Sequence, residues 1–244
     1  MRVEKLRTAV SGWGSFARSI VIAAGLTAVA GCSSGGGGGS EGSHELIRVI
    51  QANPEFTAVD FDVIDMAAFD DVEYGGETGF FDVIEGKVTV AVKSERQVLP
   101  VVQEDVTIAA GEDYSIFFLD AAGVPDLVTI QDNRAIPEDG QFRIRVGNFA
   151  PSRDSVDIYI VRPGDGISDQ TPLGTAIAYQ AFAEYKGIDA GSYQIKYTNA
   201  GGSQVIRSTD VINFEAGSVY THFLLDQDGG GSPLQSRLLI DAEY

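Results

Sequence analysis

The sequence has few of the side chains that carry most enzyme and metal chemistry. Its 244 residues include one cysteine, two histidines, two methionines and one tryptophan. One cysteine excludes an intramolecular disulfide, and zinc sites built from Cys and His need more such ligands than the chain offers. There are 17 Lys and Arg against 35 Asp and Glu, a net charge of −18. Such an acidic chain repels phosphate backbones, so we expect no nucleic-acid partner.

The two histidines do not form a catalytic set with a nucleophile. His44 lies at the end of a glycine-rich stretch, and His222 aligns with Ile116 in an internal repeat described below. A nucleophilic enzyme needs a base held beside its Ser or Cys. The sequence has no G-x-S-x-G nucleophile elbow, because its two matches to that pattern, 31–35 and 38–42, lie in the glycine-rich stretch around Cys32. We therefore expect His222 to be a packed residue. The sequence predicts no enzyme, no catalytic residue, no metal site and no cofactor.

The N-terminus has the pattern of an export signal. Basic residues precede the apolar run 20–31, which has 12 residues and is shorter than the roughly 20 that span a bilayer. The run ends in Val29-Ala30-Gly31-Cys32, which resembles the bacterial lipobox, in which the cysteine receives the lipid. The alternative is an ordinary secretory signal cleaved after Ala28-Val29-Ala30. The lone cysteine favours the first interpretation, with residues 1–31 as a lipoprotein signal peptide.

A flexible tether follows the cysteine. Five glycines, Gly35 to Gly39, stand among serines in the segment 32–45, which we assign as lipidated Cys32 and linker. Without residues 1–31 the chain has 13 basic and 34 acidic side chains, a net charge of −21. We expect a cell-envelope location with the membrane as a partner through the lipid. With Ser33 after the cysteine, a Gram-negative host would retain the protein in its outer membrane.

The rest of the chain is one unit repeated twice. Residues 48–54 match 145–151 at an offset of 97, and residues 110–120 match 216–226 at an offset of 106. Most of the increase falls at the Pro-, Gly- and Asp-rich stretch 162–172, which has the composition of a loop insertion. A gap confined to a loop is typical of homologous domains. The domains are predicted as 46–136 and 141–244.

Each repeat has the pattern of short β-strands. Apolar residues alternate with polar ones in 59–63, 87–92 and 192–197, and no window after residue 46 has helical periodicity. About seven strands in roughly 95 residues, separated by Gly, Pro and Asp, are typical of a β-sandwich. The sequence therefore predicts an all-β protein of two tandem sandwiches.

The motifs shared by the repeats resemble a known family. They read R-V-x-x-x-x-P-x-x-x-x-V-D-[FI]-x-[VI], an aromatic-rich strand, a glycine and A-G-x-x-Y. This pattern is similar to the domain of unknown function 4397 family, found in secreted and lipid-anchored bacterial proteins. The family often has His-Ala-Ser-Pro where this chain has residues 51–54 and 148–151. The resemblance implies tandem immunoglobulin-like β-sandwiches and implies no activity.

Two groups of acids offer alternatives to a binding role. Asp60 and Asp62 share a strand face, with Asp65, Asp70 and Asp71 after them, and paired carboxylates hydrolyse glycosides when they face each other across a cleft. A second group, Asp226-Gln-Asp228-Gly229, begins like a calcium loop, but Arg237 occupies the position of the last acidic ligand of an EF-hand. An acidic hairpin turn explains this stretch equally well.

The sequence thus favours a non-enzymatic binding or structural module of the cell envelope. Its expected partner is a protein or a glycan of the envelope. Features that differ between the repeats are the better binding candidates, namely the insertion 162–172 and a set of tyrosines in the second repeat: Tyr159, Tyr179, Tyr185, Tyr193 and Tyr197. The alternatives are an envelope-polysaccharide hydrolase that uses paired carboxylates and a calcium-dependent adhesion module.

The assignment of Cys32 makes a direct prediction about lipid attachment. Cells grown with labelled palmitate should yield a labelled protein, because the cysteine thiol is the atom that receives the lipid. Cys32→Ala should abolish the label, and Ser33→Ala serves as the matched control that keeps it. An unlabelled wild type, or a labelled Cys32→Ala variant, would overturn the assignment.

Overall fold

The computed structural model describes residues 44–94, 97 and 99–244. These residues belong to one compact unit and fold into β-strands and turns without any helix. No helix of this described part is therefore long and apolar enough to cross a bilayer. The predicted signal peptide, Cys32 and most of the tether lie outside the described residues.

The first repeat forms a sandwich of two four-stranded sheets. One sheet has the strand order β4-β1-β7-β8 and the other the order β3-β2-β5-β6. The strands are β1 (His44–Gln51), β2 (Ala58–Val63), β3 (Ala67–Glu73), β4 (Phe81–Ile84), β5 (Gly86–Lys93), β6 (Val102–Ile108), β7 (Asp113–Asp120) and β8 (Pro125–Asp132).

The second repeat has the same plan with two of its strands divided. β12 and β13 both pair with β9, as β4 pairs with β1, and β15 and β16 both pair with β14, as β6 pairs with β5. The strands are β9 (Gln141–Phe149), β10 (Ser155–Val161), β11 (Gly174–Ala178), β12 (Ala181–Phe182), β13 (Lys186–Asp189), β14 (Gly191–Asn199), β15 (Val205–Ser208), β16 (Ile212–Phe214), β17 (Ser218–Leu225) and β18 (Gln235–Glu243).

The strand order confirms the tandem sandwiches and differs in detail from the expected immunoglobulin-like one. In an immunoglobulin constant domain the first strand lies beside the second in one sheet. Here β1 lies between β4 and β7, and β2 belongs to the opposite sheet. The pairs β1–β7 and β9–β17 are parallel, while the other pairs are antiparallel. The immunoglobulin-like strand order is therefore not confirmed. The alternation of apolar and polar residues predicts where strands lie, but it does not predict which strands pair.

In strands with one face toward solvent, the burial of the side chains follows the alternation of apolar and polar residues in the sequence. Along β2 the side chains alternate between half-buried and buried, which places Val59, Phe61 and Val63 in the core. In contrast, every residue of β17 is buried. A strand buried on both faces has a second packing partner besides the other sheet of its own sandwich, and for β17 that partner is the first repeat.

Each sandwich has its own apolar core. In the first, Phe61, Val90, Ile116 and Phe118 are fully buried between the sheets. In the second, Phe142, Phe214, Ile195 and Tyr197 occupy the corresponding layer, with the rings of Phe142 and Phe214 stacked 4.5 Å apart. Equivalent strands of the two repeats thus provide both cores.

The residues that recur in both repeats at turns have specific backbone roles. Gly111 and Gly217 have φ angles of 78° and 83° in the turns before β7 and β17, a conformation that glycine adopts without a steric penalty. Asp157 accepts hydrogen bonds from the backbone N–H groups of Ala176 and Gly201 at 2.7 and 2.8 Å. Gly111, Gly217 and Asp157 thus shape turns of their own sandwiches.

His222 is a packed core residue, as the alignment with Ile116 predicts. Its side chain is about 1% exposed, and its Nδ1 lies 2.6 Å from the hydroxyl of Tyr197. Burial lowers the pKa of His222 to about 3, and the charge of Arg207 acts in the same direction. The folded protein therefore keeps this histidine neutral at pH values where an exposed histidine is protonated.

This buried histidine makes the stability of the protein depend on pH. Between about pH 6.5 and pH 3 the unfolded chain binds a proton at His222 that the folded chain does not, so the free energy of unfolding falls as the pH falls. The contribution between about pH 7 and pH 5 is about 2 kcal/mol. Urea denaturation of the wild type and of His222→Gln at both pH values measures it. Gln keeps a hydrogen-bond partner for Tyr197 but does not titrate, so equal pH slopes for the two proteins would contradict the prediction.

Candidate functional site

One arginine in each repeat crosses to a carboxylate of the other repeat. Arg48 of β1 is fully buried, and its Nη2 donates to Oδ1 of Asp241 in β18. Arg145, at the same position of β9, donates from Nη2 to Oδ1 of Asp132 in β8. Both carboxylates are buried. Each repeat therefore neutralises a buried charge of the other.

Two hydroxyl groups close these crossing pairs into a ring. Ser115 accepts from Nε of Arg48 at 2.8 Å and donates to Oδ2 of Asp132 at 2.7 Å. Thr221 accepts from Nε of Arg145 at 2.8 Å and donates to Oδ2 of Asp241 at 2.7 Å. We call this closed set the interdomain ring, and its members in order are Arg48, Asp241, Thr221, Arg145, Asp132 and Ser115.

The interdomain ring balances its own charges. It holds two guanidinium groups and two carboxylates, and Glu77 adds a third carboxylate 3.2 Å from Nη1 of Arg48 at the partly exposed edge. Burial raises the pKa of Asp132, although Arg145 and Arg48 oppose this. Burial opposes the charged form of Arg48, but the carboxylates around it raise its pKa above the usual value. Arg48 therefore stays charged.

Aromatic side chains cover the two arginines. The guanidinium of Arg48 lies 4.5 Å from the ring centre of Phe80, and that of Arg145 lies 5.0 Å from the ring centre of Tyr185. Phe80 and Tyr185 are matched positions of the two repeats. The Tyr185 hydroxyl also donates to Oδ2 of Asp241 at 2.8 Å. These rings keep water from the ion pairs and attract the cations through their π faces.

An apolar cluster joins the sandwiches beside the interdomain ring. Phe117 of β7 stacks on Phe149 of β9 with ring centres 4.4 Å apart, and it meets Phe223 of β17 edge-on at 5.4 Å. Phe117 and Phe223 are matched positions of the two repeats. The other buried members of the cluster also come from both repeats: Ile50, Ala52, Tyr74, Leu119, Leu225 and Leu239.

A pair of matched tyrosines completes the contact between the repeats. The Tyr74 hydroxyl donates to the backbone carbonyl of Asp226 at 3.1 Å. The Tyr179 hydroxyl donates to the backbone carbonyl of Asp120. Each tyrosine reaches the end of the other repeat's penultimate long strand, β17 or β7. The whole contact is thus related by an approximate two-fold axis, as in an isologous dimer.

Two of the clefts on the described surface have the polar lining and the volume to be considered as binding sites. One, of about 580 Å³, lies in the first sandwich and is lined by acids that include Glu55, Asp71 and Glu73. The other, of about 410 Å³, lies between the repeats and is lined by residues of β8, β9 and the segment 180–185. Small-molecule sites occur preferentially at domain interfaces, which favours the second cleft.

The acids proposed for glycoside hydrolysis form local contacts. Asp62 is paired with Lys93 of the neighbouring strand β5. Oδ1 of Asp60 accepts a hydrogen bond from the backbone N–H of Asp71 at 2.8 Å. Both carboxylates thus serve the structure of their own sheet, in the way that Asp157 does in the second repeat.

Asp226 holds together the loop that resembles the start of a calcium site. Its carboxylate is buried and accepts hydrogen bonds from Oγ of Ser152 at 2.6 Å and from the backbone N–H of Gly231 at 2.9 Å. Among the residues that the structure describes, no three His, Cys, Asp or Glu side chains are grouped to hold a metal ion. The loop therefore has the contacts of a hydrogen-bonded turn.

The structure places the other binding candidates from the sequence in different environments. Tyr159, Tyr193 and Tyr197 are buried in the second sandwich, whereas Tyr179 and Tyr185 take part in the interdomain contact. The insertion 162–172 contains exposed residues between β10 and β11 and lines neither of the two clefts described above. Cys32, the predicted lipid site, lies outside the described residues.

Sequence reasoning missed the interdomain ring. Four pairs of matched positions belong to the interdomain contact: Arg48 and Arg145, Tyr74 and Tyr179, Phe80 and Tyr185, and Asp120 and Asp226. The available signal was a charged residue that recurs at the same position of an otherwise apolar strand in both repeats, as Arg48 and Arg145 do. Asp132 and Asp241 were not recognisable as a pair, because the connection between β17 and β18 is longer than that between β7 and β8 and changes the offset of the strands that follow.

The fold and the site together define a tandem β-sandwich protein whose repeats are joined by a buried, two-fold related polar contact. Residues 45–159, which span the first sandwich, β9 and most of β10, match the family model described as "Domain of unknown function (DUF4397)". The resemblance found from the motifs is therefore confirmed over these residues. Curated proteins give no match.

Comparison with solved structures gives weak similarities. The Bacillus anthracis TIE protein matches with 12% identity and a TM-score of 0.26 over 76% of this chain, which spans only 34% of that one. A structure of alpha-glucan binding by a streptococcal virulence factor matches with 12% identity and a TM-score of 0.25, over 77% of this chain and 95% of its own. Family 41 carbohydrate-binding modules from streptococcal virulence factors match with 8% identity and a TM-score of 0.25, over 76% and 94%. Similarity at these TM-scores carries no argument about function.

The crossing ion pairs make a prediction about stability. Arg48→Ala leaves the buried Asp241 without its cation, so the free energy of unfolding should fall by about 3–5 kcal/mol. Arg145→Ala should cost a similar amount because Asp132 loses its partner. Urea denaturation followed by circular dichroism measures both.

An exposed ion pair provides the control for these variants. Lys87 and Asp105 are 73% and 48% exposed, and Lys87→Ala should change the free energy of unfolding by less than about 1 kcal/mol. The combined change Arg48→Met and Asp241→Leu should cost less than either single change, because no unpaired buried charge remains. Equal effects of Arg48→Ala and Lys87→Ala would refute the role of the interdomain ring.

Proposed function

We propose that the chain is a lipid-anchored, extracytoplasmic binding module of the bacterial envelope. Cys32 carries the lipid, the glycine-rich segment after it is a flexible tether, and the two sandwiches form the body that binds a partner. The proposed envelope location is supported by the apolar run that ends in Val29-Ala30-Gly31-Cys32 and by the lone cysteine at that position.

The interdomain ring is the main structural support for a non-enzymatic role. Catalytic groups are buried or shifted in pKa but keep an atom free to meet a substrate. In the interdomain ring the buried titratable groups are Arg48, Arg145, Asp132 and Asp241, and each donates to or accepts from neighbouring side chains inside the protein. These buried charged groups thus join the repeats together.

A fixed pair of sandwiches suits a binding module physically. Holding two repeats in one arrangement lets loops from both line one surface, and a preformed surface loses little conformational freedom when it binds. The high negative charge keeps such a body soluble and limits adhesion to anionic lipid and nucleic acid. The tether allows the body to search the space around its anchor.

Binding without turnover can be tested directly. The compact body, residues 41–244, is immobilised and incubated with isolated envelope fragments of the source bacterium. We expect saturable retention of envelope material without release of reducing sugar ends. The heat-unfolded body serves as the control for nonspecific retention.

A hydrolase would give a different result in the same assay. Reducing ends released over time by the wild type, and lost in the variant with both Asp60→Asn and Asp62→Asn, would contradict the proposal in favour of the paired-carboxylate enzyme. Retention no greater than that of the unfolded control would contradict the binding role as well.

A further inference from the structure

Three connections of the first sandwich lie together at the end where β1 begins. His44, the first residue of β1, pairs with Ile84, which directly precedes the connection to β5. β2 and β6 both run antiparallel to β5, so the connections that follow them, 64–66 and 109–112, lie toward the first residue of β5. We call this end of the first sandwich, with its three connections, the entry end.

Large apolar side chains are exposed at the entry end. Ile84 is 56% exposed, Met66 43% and Ile64 42%, and Ala109 and Ala110 are exposed as well. Such connections usually consist of Gly, Pro, Asn, Asp and Ser. Apolar residues scattered singly over a surface need no explanation, whereas a group of them marks contact with another surface.

The neighbouring strands β3 and β4 bring two of these side chains to the same edge. The rings of Phe69 in β3 and Phe81 in β4 lie 4.9 Å apart. β3 leads away from the entry end and β4 leads toward it, so Met66, before Phe69, and Ile84, after Phe81, both lie on the entry side of this ring contact. The exposed apolar side chains are therefore grouped.

The second repeat shows that the fold does not require these apolar residues. Asp189 stands at the place of Ile84 and has the equivalent strand pairing. Glu215 stands at the place of Ala109, and the connection after β10 contains the polar insertion 162–172. The same end of the second sandwich is thus polar and acidic. The apolar group belongs only to the repeat that follows the proposed tether.

The length of the proposed tether determines which surface the entry end can meet. Twelve residues, 32–43, lead from the proposed lipid site to His44, and a flexible chain of this length spans about 17–21 Å. On the proposed anchor, the entry end is therefore held close to the bilayer. A tethered group has an effective concentration of about millimolar, so a contact too weak to retain a free protein is populated.

The charges of the entry end favour one kind of lipid surface. Asp65 and Glu85 are exposed beside the apolar side chains, while Lys87, which follows them, is paired with Asp105 at 3.0 Å. Carboxylates repel anionic headgroups and attract the ammonium group of a zwitterionic headgroup. The entry end therefore fits a zwitterionic bilayer, such as one of phosphatidylethanolamine, better than an anionic one.

We propose that the entry end is a membrane-contact surface that places Ile64, Met66 and Ile84 in the headgroup region of a zwitterionic bilayer. The lipid holds the chain at the membrane, and these side chains orient the body. This inference rests on the proposed anchor. Its failure is distinguishable from failure of the anchor, because palmitate labelling reports the natural lipid and the test below supplies an artificial one.

The test uses tryptophan as a reporter, because the one tryptophan of the sequence, Trp13, precedes Cys32. The chain 32–244 is coupled through the Cys32 thiol to a maleimide-bearing lipid in vesicles of phosphatidylethanolamine and phosphatidylcholine in equal parts. Ile84→Trp should emit at shorter wavelength when the vesicles are present, and brominated lipids should quench this emission.

Two variants place the same reporter elsewhere as matched controls. Val124 is 61% exposed in the turn after β7, at the opposite end of the first sandwich. Asp189 is the position of the second repeat that matches Ile84. Val124→Trp and Asp189→Trp should be quenched about threefold less than Ile84→Trp, or weaker still, because neither reporter lies in the proposed contact.

A further variant removes part of the apolar group. With Met66→Trp as the reporter, Ile84→Asp should lower the ratio of membrane-seated to free body by about tenfold or more. The thermal midpoint should stay unchanged, because Ile84 is mostly exposed and the fold accepts Asp189 at the matched place. Replacing part of the lipid by phosphatidylglycerol should also weaken the quenching.

Several results would overturn the proposal. They are quenching of Ile84→Trp no stronger than that of the two controls, quenching of Met66→Trp that Ile84→Asp leaves unchanged, and quenching that phosphatidylglycerol strengthens. A shift of the Ile84→Trp emission that appears without vesicles and grows with protein concentration would overturn it as well, because a second copy of the chain would then cover the entry end.

Discussion

The arrangement of this protein depends on two arginines that each find their carboxylate in the other repeat. Removing Arg48 and Arg145 from water is costly, and the cost is offset only when the repeats are in contact, since Asp241 and Asp132 come from the opposite sandwich. Ser115 and Thr221 accept from Nε of the two arginines and donate to the second oxygen of the two carboxylates. A closed ring of this type tolerates little displacement, because a shift of one side chain leaves another charge buried and unpaired. Its main effect is therefore to specify a single arrangement of the repeats.

Symmetry explains why so few residue types are enough for this contact. In a contact between two equivalent surfaces, each residue appears twice, once from each side. One arginine, one aspartate, one hydroxyl, one aromatic ring over the arginine and one tyrosine per repeat thus generate the polar contact. The matched pair Phe117 and Phe223 contributes to the apolar part. A duplicated gene supplies such pairs without further change. The contact has the form of a dimer interface enclosed within one chain.

The sequence allowed the strands, the duplication and the sandwich class to be predicted, because alternation and repetition are local signals. It did not allow the strand order to be predicted, since β1 pairs in parallel with β7, from which it is separated by five other strands. The interdomain ring could not be predicted either, because its members also lie far apart along the chain. Arg48 and Asp241 are 193 residues apart, and the longer connection between β17 and β18 removes the regular offset that would align Asp132 with Asp241. The recurring Arg and Tyr positions were visible as matches between the repeats, but a match does not show that the residues belong to the contact between repeats.

The position of β1 connects the proposed anchor to this contact. On that proposal, any force on the tether enters the body at His44, the first residue of β1. This strand is not an edge: it lies between β4 and β7 and is hydrogen-bonded on both sides. It also carries Arg48, so pulling it out of its sheet would break the ladder and separate the crossing ion pair at the same time. Tension on the anchor is thus resisted by both repeats together, although the tether is attached to only one of them.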